Sequence, residues 1–147
     1  MIRLALVDKT TFEDVVNVKI SQSDNRKVAS VEYSLAQAWL YSRYSRLEPL
    51  AILSSKEVVG FLLLSIENEG EVYHIWRLLV DKAHQNRGYG QEAIKQVITR
   101  ASQDKDCSRV VVGYVIGNHK MRSILEKLGF QPLGMVGNEI KMTLNVK

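Results

Sequence analysis

The residues best placed to do chemistry lie between Gln85 and Gly90, which read Q-N-R-G-Y-G. Two glycines let a backbone approach a ligand closely and reach positive φ, and Arg87 sets a full positive charge beside them. The nine residues before this turn, V-Y-H-I-W-R-L-L-V from Val72 to Val80, are rich in β-branched and aromatic types and predict a buried strand. After it, Gln91 to Ala101 carries Ala93, Ile94, Val97, Ile98 and Ala101 at the spacing of one amphipathic helix face. The first N–H groups of such a helix have no intrahelical acceptor, and the helix dipole adds partial positive charge there. A strand, a basic glycine turn and a helix N-terminus suit a diphosphate. Spacing then discriminates among phosphate-binding turns. The chain has no Gly-Lys-Ser or Gly-Lys-Thr for a P-loop, and Gln91 and Glu92 follow Gly90 where a G-x-G-x-x-G turn would need a further glycine.

The elements that position this turn can be read in order. Residues 2–7 predict a first strand. Thr10 or Thr11 can cap a helix with Glu13 and Asp14 in its first turn, running to about Ile20 on the stripe Phe12, Val15, Val16 and Ile20. Residues 21–27 are polar and read as a loop or helix end. A second helix is expected from about Ser34 to Tyr44, with Leu35, Ala38, Trp39 and Ser42 on one face and Pro49 marking the exit. Strands at 50–53 and 58–66 form a hairpin across residues 54–57. A polar turn with Glu67, Glu69 and Glu71 leads into the central strand. Arg109 to Ile116 is another strand. Asn118 opens a helix with Met121, Ile124, Leu125 and Leu128 on one face, and Gly129 ends it. Residues 130–136 and 139–144 form a last hairpin around Gly137 and Asn138. The order β-α-α-β-β-β-α-β-α-β-β predicts an α+β fold with a mixed, largely antiparallel sheet and helices on both faces.

The turn is of the form Q-x-x-G-x-G, and it resembles the acetyl-CoA pyrophosphate loop of the GNAT superfamily of N-acetyltransferases, Q/R-x-x-G-x-G/A. The run R-L-L-V-D from Arg77 to Asp81, with His84 before the loop, looks like the strand that precedes that loop in the family. Asn118 stands where the family places an Asn at the start of the next helix, and Glu126 to Phe130 is similar to its E-K-x-G-F ending. The order of elements is also the GNAT order, so the resemblance covers nearly the whole chain. Residues 28–38 and Tyr73 to Arg77 are further similar to a bacterial branch of spermine/spermidine (diamine) acetyltransferases.

The resemblance implies acetyl-CoA as cosubstrate and no metal. It implies that the pantetheine arm pairs with the backbone of Leu78, Leu79 and Val80, where the central strand splays from the strand at 110–116. The diphosphate would take N–H groups from the turn and helix start, so Gln85, Asn86, Arg87, Gly88, Tyr89, Gly90, Gln91 and Asn118 are the cofactor-binding candidates. Leu79 would point either into the core or along the cofactor. An acceptor ammonium with a pKa near 10.4 is only roughly 0.04% neutral at pH 7, so attack on a thioester needs a base or proton path. Many relatives carry a Glu on the central strand. Residues 74–77 have no carboxylate, which leaves His74 as the local catalytic candidate and Glu32 as a second if the early helices fold over the cleft. The family often reads L-Y-E-K-x-G-F, its Tyr protonating the leaving thiolate. Leu125 stands at that position here, with Tyr89, Tyr114 or water as substitutes.

The whole chain bounds these readings. Its 147 residues suit a single domain, and 46% apolar with 24% charged residues is the composition of a soluble globular protein. No run of 18 uncharged apolar residues occurs, so no membrane span is expected, and the early Arg3 and Asp8 argue against a signal peptide. The single Cys107 suits a reducing cytoplasm. A net charge of +4 favours anionic partners, yet the Lys and Arg residues are dispersed and no nucleic-acid motif is present. The expected function is transfer of an acetyl group from acetyl-CoA to a primary amine, a polyamine such as spermine or spermidine. Glu32, Glu67, Glu69 and Glu71 are the carboxylates available to select a cation, and Tyr33, Trp39, Tyr41 and Trp76 the aromatic faces. The alternatives are a protein or peptide N-acetyltransferase and a catalytically weak acyl-CoA-binding protein. Homodimers are common in the family, and no sequence feature establishes one here.

Overall fold

A computed structural model of the chain describes residues 1–19 and 30–147. The strands are β1 (Ile2–Leu6), β2 (Arg46–Ser54), β3 (Glu57–Glu67), β4 (Val72–Val80), β5 (Arg109–Val115), β6 (Gln131–Val136) and β7 (Glu139–Asn145). The helices are α1 (Phe12–Val16), α2 (Val31–Leu40), α3 (Tyr89–Gln103) and α4 (His119–Lys127), and a short 3-10 turn (Tyr41–Arg43) follows α2. The seven strands form one sheet in the order β1-β2-β3-β4-β5-β7-β6. Every pairing is antiparallel except β4 with β5. The expected mixed, largely antiparallel sheet is therefore present.

Strand alternation sends side chains to two apolar layers, one on each face of the sheet. One layer joins Tyr73 and Ile75 of β4 and Val110, Val112 and Tyr114 of β5 to Ala93, Ile94, Val97 and Ala101 of α3 and Leu125 of α4. The other joins Phe61, Leu63 and Leu79 to Val15 of α1 and to Val31 and Ala38 of α2. Helices thus cover both faces.

Several boundaries and one side-chain direction differ from the sequence reading. The first helix is one short turn, Phe12–Val16, and Ile20 lies outside the described residues, as does the polar stretch 21–27. The helix stops because the backbone of Lys19 is engaged elsewhere: its N–H donates to Asp81 Oδ1 at 2.8 Å and its carbonyl accepts from Lys82 N at 2.6 Å. The second helix starts three residues earlier than expected, since Ser30 Oγ accepts from Tyr33 N at 3.1 Å and caps it. That start places Val31, Ser34 and Ala38 inward, with Leu35 half-buried. Trp39 is turned to solvent at 78% exposure, so it is not on the core stripe. Finally, β2 runs through Pro49 instead of starting after it. The β1 ladder ends at Leu50, and the Pro49 carbonyl accepts from Val7 N at 3.0 Å, so on that edge the ring nitrogen has no ladder bond to make.

Candidate active site

Strand β4 is paired on both edges only over its first half. Its parallel ladder with β5 runs from Val72↔Arg109 to Ile75↔Val112, whereas its ladder with β3 continues to Val80↔Gly60. The β3 register shifts between Leu63↔Arg77 and Leu64↔Ile75, so Trp76 is an extra residue, a β-bulge. The bulge is braced by Arg77, which donates to the Trp76 carbonyl at 3.0 Å and to Gln37 Oε1 of α2 at 3.1 Å. Beyond it the two central strands part, and a cleft of about 740 Å³ opens between them.

One wall of the cleft is the second half of β4, residues 76–80. Leu79 is 3% exposed and packs with Phe61 and Leu63, which answers the question of its direction: its side chain belongs to the core and only its backbone is left for the cleft. At the end of β4 the chain enters the glycine turn. Gln85 Nε2 donates to the Val80 carbonyl at 3.1 Å and so closes the turn onto the strand. Asn86 and Gly88 both take positive φ, +65° and +80°, and Gly88 is the residue that precedes α3. No side chain caps this helix, and the first intrahelical bond is from Glu92 N to the Gly88 carbonyl at 3.0 Å. The N–H groups of Tyr89, Gly90 and Gln91 therefore stand at the cleft without intrahelical acceptors.

The other wall comes from β5 and α4. Asn118 precedes α4 and accepts from Met121 N at 3.2 Å, a capping role that also holds it at the cleft. Lys120, Ser123, Ile124 and Lys127 form the cleft-facing stripe of α4. Lys120 Nζ donates to Asn86 Oδ1 at 2.9 Å and ties α4 to the glycine turn. Arg87 is exposed on that turn, 3.4 Å from His84 Nδ1, and is not among the cleft-lining residues.

Of the cofactor-binding candidates, Leu78, Leu79, Val80, Gln85, Asn86, Gly88, Tyr89, Gly90, Gln91 and Asn118 all line this one cleft. Several lining residues carry no motif: Gly113 and Tyr114 of β5, Lys120 and Ser123 of α4, and Glu139 of β7. The i, i+3, i+4, i+7 spacing of residues 120, 123, 124 and 127 was a legible signal for a second helix face. Nothing local marks Glu139, because β7 reaches the cleft only through its pairing with β5.

The catalytic candidates separate. Glu32 lies exposed in the first turn of α2 and does not line the cleft. His74 lies on β4 with 16% of its side chain exposed. Its Nδ1 is 3.1 Å from Glu67 Oε2 and its Nε2 is 3.2 Å from Lys141 Nζ. Glu67 accepts from Trp76 Nε1 at the same oxygen, at 3.1 Å. Burial lowers the His74 pKa below its ordinary value of 6.5, against the opposing pull of Glu67. A neutral ring that donates Nδ1–H to Glu67 keeps its Nε2 lone pair free to accept from Lys141. Of the acidic turn, only Glu67 is in this network; Glu69 and Glu71 are exposed. Leu125 is fully buried in the core while its neighbour Ile124 lines the cleft. The hydroxyls of Tyr89, Tyr114 and Ser123 belong to cleft-lining residues. No group of three or more His, Cys, Asp or Glu residues that could hold a metal occurs among the described residues.

A parted pair of central strands with an uncapped, glycine-led helix N-terminus at one end defines a cleft for an extended ligand with an anionic head. The Acetyltransferase (GNAT) family model matches residues 17–130, and the chain belongs to that family. It is an N-acetyltransferase whose acetyl donor is acetyl-CoA. The uncapped N–H groups and the positive φ at Gly88 fit the diphosphate of that donor, with Lys120 and Lys127 as nearby cations.

No curated protein matches the chain in sequence. Solved structures match its fold at low identity. Spermidine N-acetyltransferase from Vibrio cholerae, in complex with CoA and spermine, has a TM-score of 0.77 at 10% identity, covering 98% of this chain and 95% of that one. An acetyltransferase from Thermus thermophilus has 0.76 at 19%, covering 98% and 96%. An acetyltransferase from Salmonella typhimurium that modifies the N-terminal serine of a ribosomal subunit protein has 0.71 at 15%, covering 99% and 95%. No helix among the described residues is long and apolar enough to cross a membrane.

Proposed function

We propose that the protein moves the acetyl group directly from acetyl-CoA to a primary amine of a small polycation, a polyamine of the spermine or spermidine type. The observation that carries this reading is the charge of the cleft lining. Helix N–H groups, Lys120 and Lys127 line the cleft where the diphosphate would lie, and Glu139, whose carboxylate reaches Gly113 of β5, is the carboxylate in the lining among the described residues. An anionic donor and a cationic acceptor thereby each find groups of opposite charge in the lining. The spermine complex of the Vibrio cholerae enzyme, on the same fold, supports the choice of acceptor class. Direct transfer needs three things of this chain: N–H groups of the parted β4 edge facing the thioester oxygen, a path for the ammonium proton, and exclusion of competing nucleophiles.

The test is free-thiol release from acetyl-CoA, scanned over polyamines, monoamines, amino acids and N-terminal peptides. Turnover on polyamines above all other acceptors is the expected result. Turnover on peptides but not polyamines would overturn the acceptor assignment and transfer it to a protein substrate, as in the Salmonella typhimurium relative.

A further inference from the structure

Four polar side chains run across one face of the sheet, and a glycine makes their meeting possible. His74 is on β4 and Lys141 on β7, with β5 between them. Register places His74 beside Val111 and Lys141 beside Gly113. With no side chain at Gly113, Lys141 can lie over β5 and bring Nζ to 3.2 Å from His74 Nε2. A Cβ at Gly113 would stand 3.1 Å from both Cδ and Nζ of Lys141 and 2.5 Å from Glu139 Oε1. Lys141 Nζ is in turn 3.6 Å from Glu139 Oε1, and Glu139 lines the cleft.

Both ring nitrogens of His74 are thus engaged, one by Glu67 and one by Lys141; neither His74 nor Lys141 lines the cleft, whereas Gly113 and Glu139 do. His74 cannot meet an acceptor amine directly in this arrangement. We propose that Lys141, seated behind Gly113 in the cleft wall, is the relay to His74 for the proton of an acceptor ammonium held by Glu139. The inference rests on the amine-acceptor reading above.

The proton balance is simple. The acceptor ammonium gives a proton to the Glu139 carboxylate, Glu139 passes it to Lys141 as Lys141 gives one to His74 Nε2, and His74 ends as an imidazolium facing the Glu67 carboxylate. The acceptor nitrogen, now neutral, forms the C–N bond as the C–S bond breaks. The second proton lost by that nitrogen goes to the departing sulfur, and His74 returns its proton to solvent. The charged groups that face His74 are Glu67 from β3 and Lys141 and Glu139 from β7, so its titration should report on each of them.

Lys141→Met and Gly113→Ala test the relay from two sides, since the second leaves every ionisable group in place. Gly113 has no positive φ, so the alanine brings no backbone strain. Two readouts are taken: thiol release with the best amine across pH, and the His74 titration by NMR. Each variant is expected to lose about 100-fold in kcat with acetyl-CoA affinity unchanged, the scale of a lost general base. Combining either with His74→Gln should cost little more, as expected for groups acting as one unit. In Lys141→Met the His74 titration should move up, because a cation that lowers it is gone. Wild-type kcat and an unchanged acidic limb in both variants would overturn the relay while leaving the acetyltransferase reading intact. Absence of wild-type turnover on every amine, with a normal His74 titration, would overturn the amine-acceptor reading and the relay with it.

Discussion

Replacing Gly90 by Glu should stabilise the fold and destroy donor binding at once. Gly90 is in the first turn of α3, and its φ is not positive. A Cβ there would meet Val80 Cγ2 at 3.6 Å and Leu78 Cδ2 at 3.9 Å, ordinary contact distances. Removing a helical glycine contributes about 0.5–1 kcal/mol. A carboxylate in the first turn of a helix adds about 0.3–1 kcal/mol through the dipole. The melting temperature of a chain this size should therefore rise by roughly 2–8 °C, at about 2–4 °C per kcal/mol. The same carboxylate stands over the N–H groups that the diphosphate needs and repels it, so affinity for acetyl-CoA should fall at least 100-fold, about 2.7 kcal/mol. Gly88→Ala is the contrasting control. Nothing lies within 4 Å of its Cβ position, but φ is +80°, so the cost is backbone strain of about 1–2 kcal/mol and a lower melting temperature. Scanning calorimetry and titration calorimetry read the two effects separately. Unchanged acetyl-CoA affinity in Gly90→Glu would refute the placement of the anion, and a melting temperature lowered as in Gly88→Ala would refute the helix-start geometry.

Two further outcomes are expected. His74 titrates below its ordinary value of 6.5 in the folded chain because burial disfavours the charged ring. Between the folded and unfolded pKa values the unfolded chain binds more protons, so stability should be constant above about pH 6.5 and fall as pH drops beneath it. His74→Gln should remove that part of the slope in urea unfolding measured against pH, and an unchanged slope would show that His74 is not its source. Leu125→Tyr restores the residue common in the family at a position with no exposure. Overpacking should cost about 1–3 kcal/mol without raising kcat, and a faster enzyme would show that residue 125 can turn its side chain to the cleft.

The glycine turn was legible because its geometry is local. Gln85 to Gln91 needs only a strand before it, a helix after it and glycines at fixed spacing, and all three are written in consecutive residues. The same holds for Asn118 as the start of α4 and for the strand from Val72 to Val80, whose limits agree with the sequence reading. Trp39 was misread because aromatic bulk looked like core, whereas the Ser30 cap set the helix phase and turned it outward. Pro49 was misread because a proline's cost in a strand depends on which edge its nitrogen faces, and the chain alone does not show where the neighbouring ladder ends.

The acceptor end is different in kind. His74 was visible as a candidate, but its surroundings join β3, β4 and β7, so Glu67, Lys141 and Glu139 come from segments up to 72 positions apart in the chain. Gly113 reads in sequence as an unremarked glycine in a strand; only the order β4-β5-β7 makes it the gap through which Lys141 reaches His74. Amino-acid type and spacing determined the fold class, the family and the form of the glycine turn, since each depends on contacts between near neighbours. Tertiary structure decided which carboxylates and cations surround His74, because strand order and register bring distant residues together and no periodicity along the chain records them.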